Sequence, residues 1–540
     1  MGITMQSSVC FVNAQEIRWP PVTPPHTLTP MLTRGDTAVE RLMQGMGLHE
    51  ALGATDPDAW LEFDAEARLV RPTAPESRSR DRARVPALAL CHRDGRVREA
   101  ALERVAGRPE LLPLLVIRTA DWAAPVRARA RELLPALLAG AEPEALVPLT
   151  ALALRGARRE RGGFAREAVA ALLRSARPGA LEPLLAAPDR ATRRFAHGLA
   201  VERGLLPAAR LALTAGADDD AVVRRLCAEA ALALGPTGDD VLVPLLRSRH
   251  PDARSAGVTA LRRAGRHDDA RPYLTDRSGL VRACARYVLR QGGAEPLPVY
   301  RALCADPADR GIPAWAPLGL AECGEPRDAR LLWPLTAHPV PSVRARAVAG
   351  LRLLGRTDVE RLRPLLDDPA PAVAREAATA LLPWADRLPE DWLLPRLTAR
   401  RSPAHTRRTA FRLLRARGGV AELRAAVALL DDRDPSLRAL AAPAIQQWEP
   451  PVGGHHDPAE LDALLNRCTH LFSEYVLLRL RWRAGLTERP RTDGEKGADG
   501  EAGTAPGTGA DRARPAGGGA PLRRRRVRAI IRAWVRPTNA

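Results

Sequence analysis

The chain has 540 residues, of which 46% are hydrophobic and only 4% aromatic, and its basic residues exceed its acidic ones by 82 − 63 = 19. That length allows several domains or one long array, and the dominance of Leu, Ala and Arg favours helix over strand. Lys496 is the only lysine. The positive charge is therefore guanidinium, whose planar fork suits carboxylate or phosphate, although a GC-rich coding sequence would give the same bias.

The seven cysteines are Cys10, Cys91, Cys227, Cys284, Cys304, Cys323 and Cys468. The number is odd and no Cys-x-x-Cys pair occurs, which argues against a disulfide framework or a zinc site. Buried thiols in a cytoplasmic protein are expected. No apolar run is long enough for a membrane span.

In chain order, residues 1–36 read as a disordered leader, with Pro20, Pro21, Pro24, Pro25 and Pro30. Residues 37–84 read as a degenerate N-terminal cap and loop, with weak helical patterning at Ala38, Leu42 and Met46 and a second helix opening at Asp56-Pro57-Asp58. From 85 to 448 one grammar recurs: a helix ends in leucines, a Pro/Asp turn follows, and Val-Arg opens a second helix. The stretches Leu335–Gly355 and Leu365–Leu382 show it best. Aligned on Val343, the second helices carry Val97, Val126, Phe164, Thr192, Val223, Ala253, Val281, Ile312, Val373, Thr406 and Leu437 at the same place. A period of roughly 30 residues with helix, turn and helix is a solenoid signature. One such unit cannot bury enough apolar surface to offset the entropy of ordering it, so stability is collective.

On the helical wheel Val343, Ala347, Leu351 and Leu354 share the core face, with small equivalents of Ala347 at Ala130, Ala230 and Ala377. Ala345, Ala349 and Arg352 are expected to face outward. The outward row holds Glu99, Glu103, Glu132 and Glu229 in early units. In later units it holds Arg262, Arg290, Arg352, Arg375, Arg408, Arg412 and Arg415. These seven arginines are the candidate binding residues of a concave wall.

The turn acid followed by Val-Arg occurs as Asp121…Val126-Arg127, Asp220…Val223-Arg224, Asp276…Val281-Arg282 and Asp434…Leu437-Arg438. With the small and leucine positions after it, this pattern resembles HEAT repeats, and more narrowly the short bacterial HEAT-like units first named after phycobilisome lyases. The pattern departs where His338 replaces the turn acid and Ala374 the arginine. The resemblance implies an all-α fold: a right-handed α-solenoid of about twelve helix pairs. The turn arginines are expected to reach the turn carboxylates and form a ladder along the stack.

After Trp448 the pattern breaks. Residues 449–486 read as a C-terminal helical cap, 487–521 as a flexible linker and 522–540 as a basic amphipathic tail. In the tail, Arg523, Arg524, Arg525, Arg526 and Arg528 stand beside an apolar stripe of Val527, Ile530, Ile531 and Trp534. Such a helix suits an anionic membrane surface. Nucleic acid or an acidic protein groove would also attract it.

Catalytic chemistry finds little support. His92-Arg93-Asp94 has no kinase context around it, and His455-His456-Asp457 has no fourth metal ligand. The single pair His49-Glu50 falls short of the several that the di-iron hydroxylases built from HEAT-type repeats use. Asp121-Trp122 and Asp391-Trp392 keep a HEAT-like DNA glycosylase open as an alternative. No metal or cofactor is expected. The reading is a non-enzymatic scaffold that binds another macromolecule, most readily a protein, through its concave surface, with a nucleic-acid-binding solenoid as the alternative.

Overall fold

The computed structural model describes residues 37–44, 46–52, 56–69, 86–235, 238–450 and 457–487. The tail residues Arg523, Arg524, Arg525, Arg526, Arg528 and Trp534 lie outside the described residues, as do the leader and His455 and His456. Among the described residues every regular element is helical. The fold is an α-solenoid of HEAT-type helix pairs. The chain divides into two compact units, one up to Arg417 and one from Gly418 on.

In the first unit the second helices of successive pairs begin at Gly95, Ala124, Gly163, Arg190, Ala221, Pro251, Gly279, Ala316, Pro341, Pro371 and Ala404. The sequence anchor is the third residue of each, apart from two. Phe164 is the second residue of its helix. Ile312 precedes the helix Ala316–Cys323 altogether and is buried in the loop before it. Pro313 and Pro317 set that later start, Pro317 sitting in the first turn where a missing N–H costs nothing.

Local signals fix the helix ends. Asp94, Asp189 and Asp220 cap their helices through the side chain, and Pro251, Pro341 and Pro371 occupy first helical positions. The helix Pro341–Leu353 ends at Gly355, whose φ of +69° lets the Arg356 N–H return to the Leu351 carbonyl at 2.9 Å.

The core lies between the first and second helices. Val343, Ala347 and Leu351 are fully buried, as are Ala130 and Ala377. Ala230 is only half-buried: the residue one turn past Val223 is Cys227, and it takes the sealed place. Ala345 and Ala349 are also buried rather than outward. The helices Ala316–Cys323 and Pro371–Leu381 pack on the two flanks of Pro341–Leu353, leaving Arg352 and Leu353 exposed. Close approach is built into the sequence at Gly350. A Cβ there would lie 2.8 Å from Leu332 Cδ1 and 3.0 Å from the Pro317 carbonyl oxygen.

The second unit holds the helices Gly419–Ala428, Pro435–Gln447, Pro458–Asn466 and Glu474–Arg483. Trp448 is buried within it, and its indole N–H donates to the Gly419 carbonyl at 2.7 Å. An indole placed in a core needs such an acceptor.

Candidate interaction surface

Two populations of arginine stand out among the described residues. The first lies at the turns. Arg344 is typical. Its Nη1 donates to the carbonyls of His338 and Pro339, at 2.8 and 3.2 Å, in its own turn. Its Nε and Nη2 fork the Asp368 carboxylate of the next turn, at 2.9 and 2.8 Å. Asp368 in turn accepts the Ala370 N–H at 2.8 Å.

The same two-handed grip recurs. Arg98 holds the His92 and Arg93 carbonyls and forks Asp121, Arg193 forks Asp218, and Arg254 forks Asp276. Arg224 reaches Asp252, and Arg282 reaches Glu322. The ladder of the sequence analysis therefore exists, but each rung joins an arginine to the next unit's acid and not to its own.

The acids also separate into two jobs. Asp121, Asp218, Asp276 and Asp368 lie three residues before a helix start and receive rungs. Asp220 and Asp434 are N-caps, accepting from Val222 and Val223 and from Ser436, and Asp220 combines both jobs, since Arg194 of the preceding unit also forks it at 2.9 and 2.7 Å. Histidine takes over where the pattern departs. His338 Nδ1 accepts the Val340 N–H at 3.1 Å, which leaves its Nε2–H to donate to the Asp309 carbonyl at 3.0 Å. Beyond Ala374 the missing arginine is replaced by His405, whose Nε2 lies 3.0 Å from the Asp368 carbonyl oxygen.

The rungs are structural groups. The Arg98 and Asp121 side chains are both 0% exposed. Burial opposes the charge on Asp121, but the Arg98 fork, the Ala123 N–H and Arg118 outweigh it and hold the carboxyl below its usual range. An aspartate saturated in this way is not a free catalytic base. Asp121-Trp122 thus gives no support to glycosylase chemistry, although Trp122 itself is exposed. His92-Arg93-Asp94 is a repeat turn, with Asp94 capping and its N–H donating to His92 Nδ1. His49 packs edge-on against Trp60. Burial pushes the Cys227 and Cys304 thiols up to about 12, far from a nucleophilic state.

The second population lies on the outer face of the second helices. Arg262, Arg290, Arg352, Arg375, Arg408, Arg412 and Arg415 are all exposed. Arg412 Nη1 donates to Thr379 Oγ1 at 3.0 Å, so equivalent positions of adjacent second helices stand side by side. Arg290 lies 3.8 Å from Glu295, and the Arg262 guanidinium sits 5.9 Å from the Tyr287 ring centroid. Arg352 and Arg375 make no ion pair among the described residues.

Burial of Ala345 and Ala349 interrupts the row, setting Arg262 and Arg290 apart from the later five. A depression of about 520 Å³ lies on the earlier part. Its floor includes Leu232, Ala256 and Ala260, and its rim carries Glu229, Ser255, Thr259, Arg262 and Tyr287. The early acids are also exposed, but Glu103 and Glu132 share Arg129, which weakens them as an acidic patch. The sequence reading missed this depression; the exposed Tyr287 beside Arg262 was its only signal.

No family model matches the chain, and no curated protein matches it. Solved structures similar to it include Kap121p, at 15% identity over 69% of this chain and 49% of that one with a TM-score of 0.28. The karyopherin Kap121p bound to the SUMO protease Ulp1p matches at 13% identity, 77% and 53% coverage and a TM-score of 0.33. Kap121p bound to RanGTP matches at 14%, 76% and 53%, and 0.29. The chain spans about half the length of these structures. The fold assignment rests on the helix pairs and rungs described above.

Proposed function

We propose that this chain is a non-enzymatic repeat scaffold that binds an acidic segment of another protein along its second-helix wall. The observation that carries the reading is the exposed arginine row Arg352, Arg375, Arg408, Arg412 and Arg415. Unlike the buried turn arginines, these side chains are exposed on the outer face of their helices. An exposed cationic row raises the local concentration of an acidic partner and speeds its encounter. The depression by Arg262 and Tyr287 would seat an apolar side chain of the same segment. The Val-Arg spacing supports the bacterial HEAT-like unit type, and the high-pKa buried thiols support a cytoplasmic setting.

Labelled polyglutamate and a duplex DNA oligonucleotide, each titrated against salt, test this. Polyglutamate should bind, and the triple reversal Arg408→Glu, Arg412→Glu, Arg415→Glu should abolish binding while the helical circular dichroism stays unchanged. Binding that survives the reversal rejects this wall as the site. Tighter DNA binding with a log–log salt slope of about −6, as neutralising roughly seven phosphates would give, favours the nucleic-acid alternative.

A further inference from the structure

At one turn an open rung coincides with a cluster of arginines that make no ion pair among the described residues; Arg438 also holds only the carbonyls of its own turn, but without such a cluster around it. Arg127 makes the first half of the usual grip: its Nη1 donates to the Asp121 carbonyl at 2.7 Å and the Trp122 carbonyl at 3.2 Å. Its second half is empty. Where Arg98, Arg193, Arg254 and Arg344 fork a carboxylate of the next unit, Arg127 makes no ion pair among the described residues.

The cause lies in the chain between Gly156 and Gly163. The spacing from Val126 to Phe164 is the longest in the array, and the extra residues form an irregular turn. Glu160 stands three residues before its helix start, the register that Asp218, Asp276 and Asp368 hold before theirs. The backbone then passes through Arg161 at φ +87°, the one positive φ outside glycine among the described residues. Glu160 is exposed there and paired to nothing described. The turn is tightly folded: a Cβ at Gly162 would fall 1.8 Å from the Gly156 carbonyl oxygen. Backbone held this way costs free energy, and such positions cluster at ligand sites.

The turn fills the neighbourhood with further guanidinium groups. Arg161 Nη1 lies 3.5 Å from the same Trp122 carbonyl that Arg127 holds. Arg131 donates to the Thr119 and Arg161 carbonyls, at 3.0 and 3.3 Å. Arg158 and Arg159 are exposed in the same turn, and Arg159 lines a hollow together with Asp121 and Trp122. None of these five arginines makes an ion pair among the described residues, and Asp121, the nearest buried acid, is already saturated.

We infer that this open rung binds a carboxylate from outside the chain. Two oxygens of the ligand take the place of the missing acid on Nε and Nη2 of Arg127, with Arg161 and Arg159 closing around it. The closed rungs supply the reason for choosing carboxylate: the fork that Arg344 makes with Asp368 is the geometry Arg127 leaves unfilled. The carboxylate comes from a free polycarboxylate or from an acidic side chain of a protein. This site lies on the turn edge and does not depend on the second-helix wall.

Calorimetric titration of citrate into the full-length protein at constant ionic strength tests the inference. Citrate should bind at one site. Arg127→Gln with Arg161→Gln should weaken it by at least about tenfold, the loss expected when a charge-assisted fork is removed. Arg127→Lys, which keeps the charge without the fork, should weaken it while preserving the fold. Glu160→Gln, which removes the only acid in register, should tighten binding or leave it unchanged. The triple reversal at Arg408, Arg412 and Arg415 should not affect it, which separates this site from the proposed wall. Labelled hexaglutamate that outcompetes citrate identifies a protein side chain as the source; citrate that outcompetes the peptide identifies a free carboxylate. Equal citrate binding by the native protein and the Arg127→Gln, Arg161→Gln double variant overturns the site, as does no binding by either the native protein or Glu160→Gln. Inorganic phosphate displacing citrate at equal concentration overturns the choice of carboxylate.

Discussion

The turn edge and the second-helix wall are built from the same residue type and use it in opposite ways. At the turn edge Arg98, Arg254 and Arg282 are buried, each holding carbonyls behind it and a carboxylate ahead. On the wall Arg352 and Arg375 project outward. Net charge alone therefore overstates the binding surface of this chain. Much of its arginine is neutralised inside the fold, and only the residue-level environment separates a rung from a contact.

The sharpest way to break this comparison is to remove a rung. Arg98→Ala leaves Asp121 buried beside an empty space and should cost about 3–5 kcal/mol, as losing one partner of a buried pair does. Chemical denaturation measures it. A loss below about 1 kcal/mol would mean that Arg68 and Arg118, which also approach Asp121, satisfy it unaided.

Next comes the core between the two surfaces. Leu351→Ala should cost about 2–5 kcal/mol, through lost burial and a residual cavity. The same melts in urea report it, and a cost matching that of a surface change would refute the helix facing.

Acid should act on the paired carboxylates and spare the wall. The Arg301 fork is the main reason that the Asp328 carboxyl sits below its usual range; burial opposes it, and the Glu325 N–H assists. A depressed carboxylate stabilises the fold at any pH above its unfolded value and loses that contribution as pH falls through the folded value. Stability should therefore hold down to about pH 4 and decline below it. Arg301→Gln should flatten that decline, as pH-dependent denaturation would show.

The smallest effect belongs to the wall itself. Arg352→Ala should change stability by less than about 0.5 kcal/mol. A larger loss would place Arg352 among the structural arginines and shorten the proposed surface.

Much of the fold was legible because its signals are local. The turn prolines, the N-capping aspartates and the Val-Arg step each fix a helix start within a few residues, and the anchors fell on the third helical position even at Thr192 and Ala253. Ile312 misled because the two prolines around it displaced the helix, which a fixed period does not register. Ala345 and Ala349 misled for another reason: a wheel treats a helix as having one buried face, whereas this one is flanked on both sides within its layer. The rung partners were half legible. Arg344 and its acid are 24 residues apart, and no local pattern says whether a guanidinium turns back or forward. The open rung at Arg127 was invisible for the same reason, since a gap shows only against closed neighbours.

The two-handed grip of Arg344 has a consequence for how such a chain can grow. A unit that carries a complete rung presents an acceptor to the one before it and a donor to the one after, so the stack has a direction, like a row of hooks and eyes. A unit duplicated whole arrives with both fittings and joins its parent on either side. A segment copied out of phase arrives with one and leaves a buried charge unmatched. Lengthening by complete units is thus the change this architecture tolerates best, and the irregular turn after Gly156 marks a place where that rule was broken.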